Sequence, residues 1–287
     1  MGGNRGGRGG EPEHTPFGYA PAMRRTLADS IDHEGHGVHT GARCSATVFP
    51  GEQGLRIGRD RETLVPLGLG ALSGSSGATS VNVPGGSIGM IEHLLGGLAL
   101  VGVTDADIVV SGPEVPILDG SGLPWFQAAE RVGMRALGLD EPIRPPELAI
   151  EAYGGRASVK PASRLTLEVS VDYGLELAGR ARLRWDDTVR RRVVASARTF
   201  ALRRDVERLL ASRRGVGATI ENTVIYGPSG AEQPERMVHE GAWHKLLDLV
   251  GDLVLLGRPI RGHIKVDRGS HALHHLFVRT LVDRGAS

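Results

Sequence analysis

The chain has 287 residues, enough for two domains of ordinary size and for a core that needs no disulfide support. A formal net charge of +1 excludes a global field directed at nucleic acid or an anionic membrane surface. The single cysteine, Cys44, excludes an internal disulfide and a thiolate metal cluster, and no apolar run reaches the roughly 18 residues of a membrane-spanning helix.

Residues 1–20 are polar and glycine-rich and lack the apolar stretch of a signal peptide. They read as a flexible tail, and together with the cysteine usage they predict a cytoplasmic protein. Gly35-His36-Gly37-Val38-His39-Thr40-Gly41 reads as a bulged strand or turn, with a ligand cradle as the alternative. Ala46-Thr47-Val48-Phe49 and Leu55-Arg56-Ile57 read as strands, and Thr79-Ser80-Val81-Asn82-Val83 as a short strand in a Gly/Ser-rich stretch. Ile91, Leu94, Leu95 and Leu98 follow the i, i+3, i+4, i+7 rule and predict a helix over 91–101. Asp107-Ile108-Val109-Val110 is a buried strand, residues 113–122 form a turn-rich loop, and a second helix is expected over 124–137.

Pro142, Pro145 and Pro146 mark 139–146 as a linker between an N-terminal domain, 21–138, and a C-terminal domain, 147–287. In the second half, strands are expected at 147–152, 156–160, 164–171 and 181–185, helices at 203–213 and 239–256, a strand at 262–266 and a closing helix at 271–283. Each half runs strands, helix, strand, helix. That order predicts an α+β fold of two similar domains, each a sheet packed against helices, although no repeat shows in the sequence. The basic run 180–192 reads as a solvated strand-turn face rather than a nucleic-acid patch.

On the helix 239–256, Trp243, Leu246, Leu247, Val250, Leu253 and Val254 form an apolar stripe. His244, Asp248 and Asp252 line up opposite it at i, i+4, i+8, with Lys245 beside them. Such a line is ordinarily a wet helix face; alternatively His244 and Asp248 reach one metal ion. Glu92-His93 offers a carboxylate beside a metal-type histidine, the pairing of a hydrolytic site, but a Glu early in a helix is also simply stabilised by the dipole. His271 opens the last helix, where it can serve as a general acid, and with His274 and His275 it equally reads as surface decoration. Thr199 can donate to an oxyanion or merely cap a turn. No HExxH, Walker loop, Rossmann fingerprint or nucleophile elbow is present. The best reading of the residues alone is a metal hydrolase with His93, His244 and Asp248 as ligands and an open fourth position.

Taken in order, six segments resemble the UDP-3-O-acyl-N-acetylglucosamine deacetylase family over about 23–281. They are the 35–41 segment, Glu92-His93-Leu94, Pro113-Glu114-Val115-Pro116-Ile117-Leu118-Asp119-Gly120-Ser121, Ala197-Arg198-Thr199-Phe200, His244-Lys245-Leu246-Leu247-Asp248 and Ser270-His271-Ala272-Leu273. The resemblance implies Zn2+ on His93, His244 and Asp248, Glu92 as general base, and His271 as general acid oriented by Asp252. It gives Thr199 to the oxyanion and Lys245 to the polar lining. It implies helices packed together between two sheets, with the zinc cleft at the domain junction, and an insert over about 198–225 that forms an apolar acyl passage. Phe200, Leu202, Leu209 and Val216 would line that passage, Tyr173 would stack on uracil and Arg156 would meet the diphosphate. The implied reaction is removal of the acetyl group from a UDP-linked, 3-O-acylated N-acetylglucosamine in lipid A biosynthesis, by a monomer. A divergent deacetylase of another sugar nucleotide and a non-catalytic UDP-sugar-lipid binder are the alternatives; a decayed binder is expected to lose at least one of Glu92, His93, His244, Asp248 and His271, and all are present. The chain departs from the family pattern at Met90, where a Thr is usual, at Ala242-Trp243 for Val-Arg, and at Gly174-Leu175 for His-Pro.

Overall fold

The computed structural model describes residues 22–74 and 77–285. The tail expected over 1–20 lies outside the described residues. In the first half, β1 (Ala22–Leu27), β2 (Ile31–His36), β3 (Arg43–Pro50), β4 (Leu55–Gly58) and β5 (Val65–Pro66) precede three short strands, β6 (Leu72–Gly74), β7 (Ser80–Val83) and β8 (Gly86–Ile88). Then follow α1 (Glu92–Val101), β9 (Ala106–Ser111), α2 (Leu123–Val132) and β10 (Met134–Asp140). The second half opens with β11 (Leu148–Ala152), β12 (Gly155–Lys160), β13 (Thr166–Asp172), β14 (Ala178–Arg184) and α3 (Thr188–Ala195). It continues with β15 (Thr199–Leu202), α4 (Arg203–Ala211), β16 (Thr223–Gly227) and β17 (Gly230–Ala231), and closes with α5 (Glu240–Leu253), β18 (His263–Asp267) and α6 (His271–Asp283).

Two five-stranded sheets share one plan. Their orders are β2-β3-β9-β4-β5 and β11-β12-β18-β13-β14. In each, the last strand runs antiparallel to the second and parallel to the third. The small sheets β6-β7-β8 and β15-β16-β17 also occupy matching places, between the fourth strand and the main helix. Strand alternation explains how each sheet takes its helices. Cys44, Ala46 and Val48 of β3, and Leu167, Val169 and Val171 of β13, turn inward with period two, while Glu168 and Ser170 keep contact with solvent on the other face. Each half has its own apolar core, one built around Ile57, Leu95, Ile108 and Trp125, the other around Leu167, Leu183, Leu246 and Phe277.

The helix expected over 124–137 ends earlier. Gly133, at φ 79°, stops it, and Met134–Asp140 pairs antiparallel with β1 instead. That strand takes in the first two residues of the expected linker; the non-local partner, not local propensity, decides its conformation. The basic run also hides a helix: Asp187 accepts a hydrogen bond from Arg190 N (2.9 Å) and caps α3, which buries Val194 and Ala195. Among the described residues, no helix is long and apolar enough to cross a membrane.

Candidate active site

The two central helices approach closely because both carry glycine at the contact. A Cβ on Gly251 would lie 2.3 Å from the carbonyl oxygen of Glu92, and one on Gly96 would lie 2.6 Å from Leu247 Cδ1. This contact sets the N-terminus of α1, with Glu92 and His93, against the middle of α5, with His244, Asp248 and Asp252. His271 arrives at the start of α6, where Ser270 caps the helix by accepting from Leu273 N. The charged line on α5 is no wet face. Every residue of α5 except Trp243 is buried, so its polar groups must be satisfied by one another or by a ligand.

His93 Nε2 and His244 Nε2 stand 3.7 and 3.3 Å from Asp248 Oδ1, and the three donor atoms lie within 4.8 Å of one another. Two ligands on a tetrahedral ion with bonds of about 2.0–2.1 Å sit roughly 3.3 Å apart, so the spacing fits a metal. The His244 tautomer fits as well. His244 Nδ1 lies 3.1 Å from Ala197 O and donates to it, which leaves the Nε2 lone pair free. Lys245 Nζ donates to Asp248 Oδ2 at 2.8 Å, while Asp248 Oδ1 is buried with no hydrogen-bond partner among the described residues. A buried, unpartnered carboxylate oxygen facing two imidazole Nε2 atoms is a cation-sized demand. Burial pushes His93 down to about 3 and lowers His244 too, so both imidazoles are neutral. Burial would raise Asp248, but the positive charge beside it, Lys245 at 2.8 Å included, overcomes burial and holds the carboxylate well below its ordinary range.

Beside the triad, Glu92 Oε1 faces His271 Nε2 at 3.5 Å. Glu92 Oε2 accepts from the Thr79 amide at 3.0 Å. Asp252 Oδ2 lies 2.7 Å from both His271 Nδ1 and His274 Nδ1, and Thr79 Oγ1 donates to Asp252 Oδ1 at 2.5 Å. Burial pushes Glu92 up to about 7 against the pull of His271. Burial alone would lower His271, but Asp252 and Glu92 carry it up to about 9. The pair is thus an imidazolium facing a carboxylate near its titration point, poised for proton exchange. Asp252, His271 and His274 are also close enough to hold an ion, yet the 2.7 Å contacts already use the Asp252 oxygen as a hydrogen-bond acceptor. His274 and His275 are buried, which corrects the surface reading; their i+3 and i+4 spacing from His271 was the available signal. Thr79 had none, because its partner Asp252 is 173 positions away.

Thr199 begins β15, where its amide donates to Gly120 O at 2.7 Å, two residues after the carbonyl that holds His244. The Phe200 ring lies 6.1 Å from His244, 5.6 Å from Tyr226 and 6.0 Å from Tyr173, which links Tyr173 through Phe200 to His244. Leu202 does not face a passage; it is buried in the second core. Leu209 is half-buried and Val216 exposed. Arg156 is not brought to this cluster. It points out from β12, opposite the inward Ala157, and pairs with Glu151 at 2.8 Å. The 37–41 segment is a turn whose His39 and Thr40 amides donate to Glu114 (3.0 and 2.7 Å), and its His39 and Val38 carbonyls accept from the amides of Val216 and Gly217. Met90 adopts a left-handed φ of 58° just before α1 and packs with Val38, Ala78 and Ile117.

Residues 24–283 match the family model described as LpxC, UDP-3-O-acyl N-acetylglycosamine deacetylase. A UDP-3-O-acyl-N-acetylglucosamine deacetylase of Thermosynechococcus vestitus is 33% identical over 94% of this chain and 97% of its own length. One from Trichormus variabilis is 32% identical over 88% of this chain and 95% of its own. One from Myxococcus xanthus is 32% identical over 90% of this chain and 86% of its own.

Proposed function

The chain belongs to the UDP-3-O-acyl-N-acetylglucosamine deacetylase family, and from that premise we propose that it is a zinc amidase. Its reaction is hydrolysis of the acetamide of UDP-3-O-(3-hydroxyacyl)-N-acetylglucosamine to acetate and the free amine, a step in lipid A biosynthesis. The observation that carries the reading is the unpartnered Asp248 Oδ1 facing His93 and His244, with Glu92 and His271 opposed beside it.

His93, His244 and Asp248 would hold Zn2+, which when bound would supply Lewis acidity toward the amide carbonyl and a water nucleophile. The chain's own groups move the protons. Glu92, raised toward neutrality by burial, accepts one proton from the water as its oxygen bonds to the acetamide carbon. His271, kept protonated by Asp252, gives its Nε2 proton to the amine nitrogen as the C–N bond breaks. The Thr199 hydroxyl donates to the oxygen on which charge develops, and Lys245 fixes the orientation of Asp248 through its 2.8 Å contact. Phe200 and Tyr173 form the apolar wall next to His244, and Leu209 and Val216 extend it along the insert. One chain supplies every group in this scheme, so the chemistry needs no second copy, and a monomer in the cytoplasm is the form we propose.

The test is acetate release from UDP-3-O-(3-hydroxyacyl)-N-acetylglucosamine by the zinc-loaded protein, run beside the same sugar nucleotide without its acyl chain. Turnover of the acylated compound with little of the other is expected. Zinc-loaded protein that releases acetate from neither would overturn the reading.

A further inference from the structure

Thr79 is buried to 1% exposure and comes just before β7, outside all the segments that carry the family resemblance. Its polar groups nonetheless meet both sides of the proton-transfer pair. The amide donates to Glu92 Oε2 at 3.0 Å, and the hydroxyl donates to Asp252 Oδ1 at 2.5 Å. The hydroxyl's direction is fixed from behind: a ring N–H at His275 Nε2, 3.0 Å away, can donate to Oγ1, which leaves the single hydroxyl proton for Asp252. Asp252 Oδ2 is taken by the Nδ1 atoms of His271 and His274. Without Thr79, Oδ1 would keep only the long 3.4 Å approach of His275, and the carboxylate would be free to rotate about its Cβ–Cγ bond. His271 would then lose its fixed tilt toward Glu92.

We propose that Thr79 is a positioning residue that yokes the general base to the general acid, holding Glu92 through its backbone and the Asp252–His271 pair through its hydroxyl. The proposal rests on the deacetylase reading for its kinetic expression, but its geometry stands apart from that reading.

Thr79→Val keeps the shape and the amide and removes the hydroxyl; Thr79→Ser keeps both donors. Loss of one hydrogen bond to a buried carboxylate lowers kcat about ten- to a hundredfold. The zinc-loaded Val variant should show that loss with unchanged zinc content and KM within about threefold, and the Ser variant should stay within about threefold of the parent. In a His271→Ala background, Thr79→Val should cost no more than about twofold further, because the group it positions is gone. A Ser variant as impaired as the Val variant, or a Val loss that persists in full without His271, would overturn the proposal. A second readout needs no substrate: long-range nitrogen–proton NMR of the imidazoles should show the His271 Nδ1–H signal displaced in the Val variant and retained in the Ser variant. If the parent protein releases no acetate, the deacetylase reading fails alone, and an unmoved His271 signal in the Val variant would still defeat the yoke.

Discussion

His271 Nε2 lies 3.5 Å from Glu92 Oε1 although the two residues come from different halves of the chain. Burial raises one and the surrounding carboxylates raise the other, so the proton donor and acceptor are adjacent before substrate arrives. Glu92→Gln should therefore retain zinc and lose activity by about a hundredfold or more, the usual scale of a lost general base. Paired metal analysis and steady-state rates decide it; unaltered turnover would remove Glu92 from the proton path.

The metal set makes a separate expectation. His93→Ala, His244→Ala and Asp248→Ala should each lower zinc from about one per chain to a trace after dialysis, whereas Glu92→Gln should not. Chelation of the parent protein should lower its melting temperature, and added zinc should restore it. Full zinc retention by all three variants would place the ion elsewhere.

Gly251→Ala tests the contact between the central helices. Its Cβ would lie 2.3 Å from the Glu92 carbonyl oxygen, so α1 or α5 must shift. Overpacking of this kind costs about 1–3 kcal/mol, and the shift moves Glu92 and His93 relative to Asp248. Lower chemical stability together with a weaker hold on zinc is expected; a variant as stable and as active as the parent would mean the helices yield without consequence.

Glu240 predicts a pH effect away from the metal. Its carboxylate accepts from the Arg198 amide and Nε, both at 2.9 Å, from Arg198 Nη2 at 3.0 Å and from the Arg236 amide at 2.7 Å. Burial would raise its pKa, but the Arg198 contacts outweigh that and lower it. A depressed folded value means stabilisation that is complete above the unfolded value of about 4.3 and lost as pH falls through the folded one. Glu240→Gln should flatten that acid-side loss in denaturant titrations. Glu240→Ala, which strands a buried guanidinium, should cost about 3–5 kcal/mol at neutral pH. Equal acid sensitivity in parent and Gln variant would count against the assignment.

Legibility followed the range of the forces involved. Helix α1 and strand β9 could be read because their burial pattern is local, and His93, His244 and Asp248 because helix spacing and ordered motifs mark them. The strand at Met134–Asp140 escaped because its partner, β1, is more than a hundred positions away. Thr79 escaped for the same reason: a hydrogen bond to Asp252, 173 positions away, leaves no periodic trace. The wet-face reading of α5 failed because amphipathicity records polarity, not solvent, and here the polar side meets another helix.

The shared strand order has a consequence for how such a site can arise. If the two halves are copies of one ancestral unit, a symmetric pair of those units would present the same residues twice across the axis. The present arrangement is unequal: α1 contributes Glu92 and His93, and the corresponding α5 contributes His244, Asp248 and Asp252. Joining the copies in one chain releases each from serving both roles, and division of labour between them can then follow. The tether, as much as the fold, is what permits a cluster with Glu92 and His93 on one helix and His244, Asp248 and Asp252 on the other.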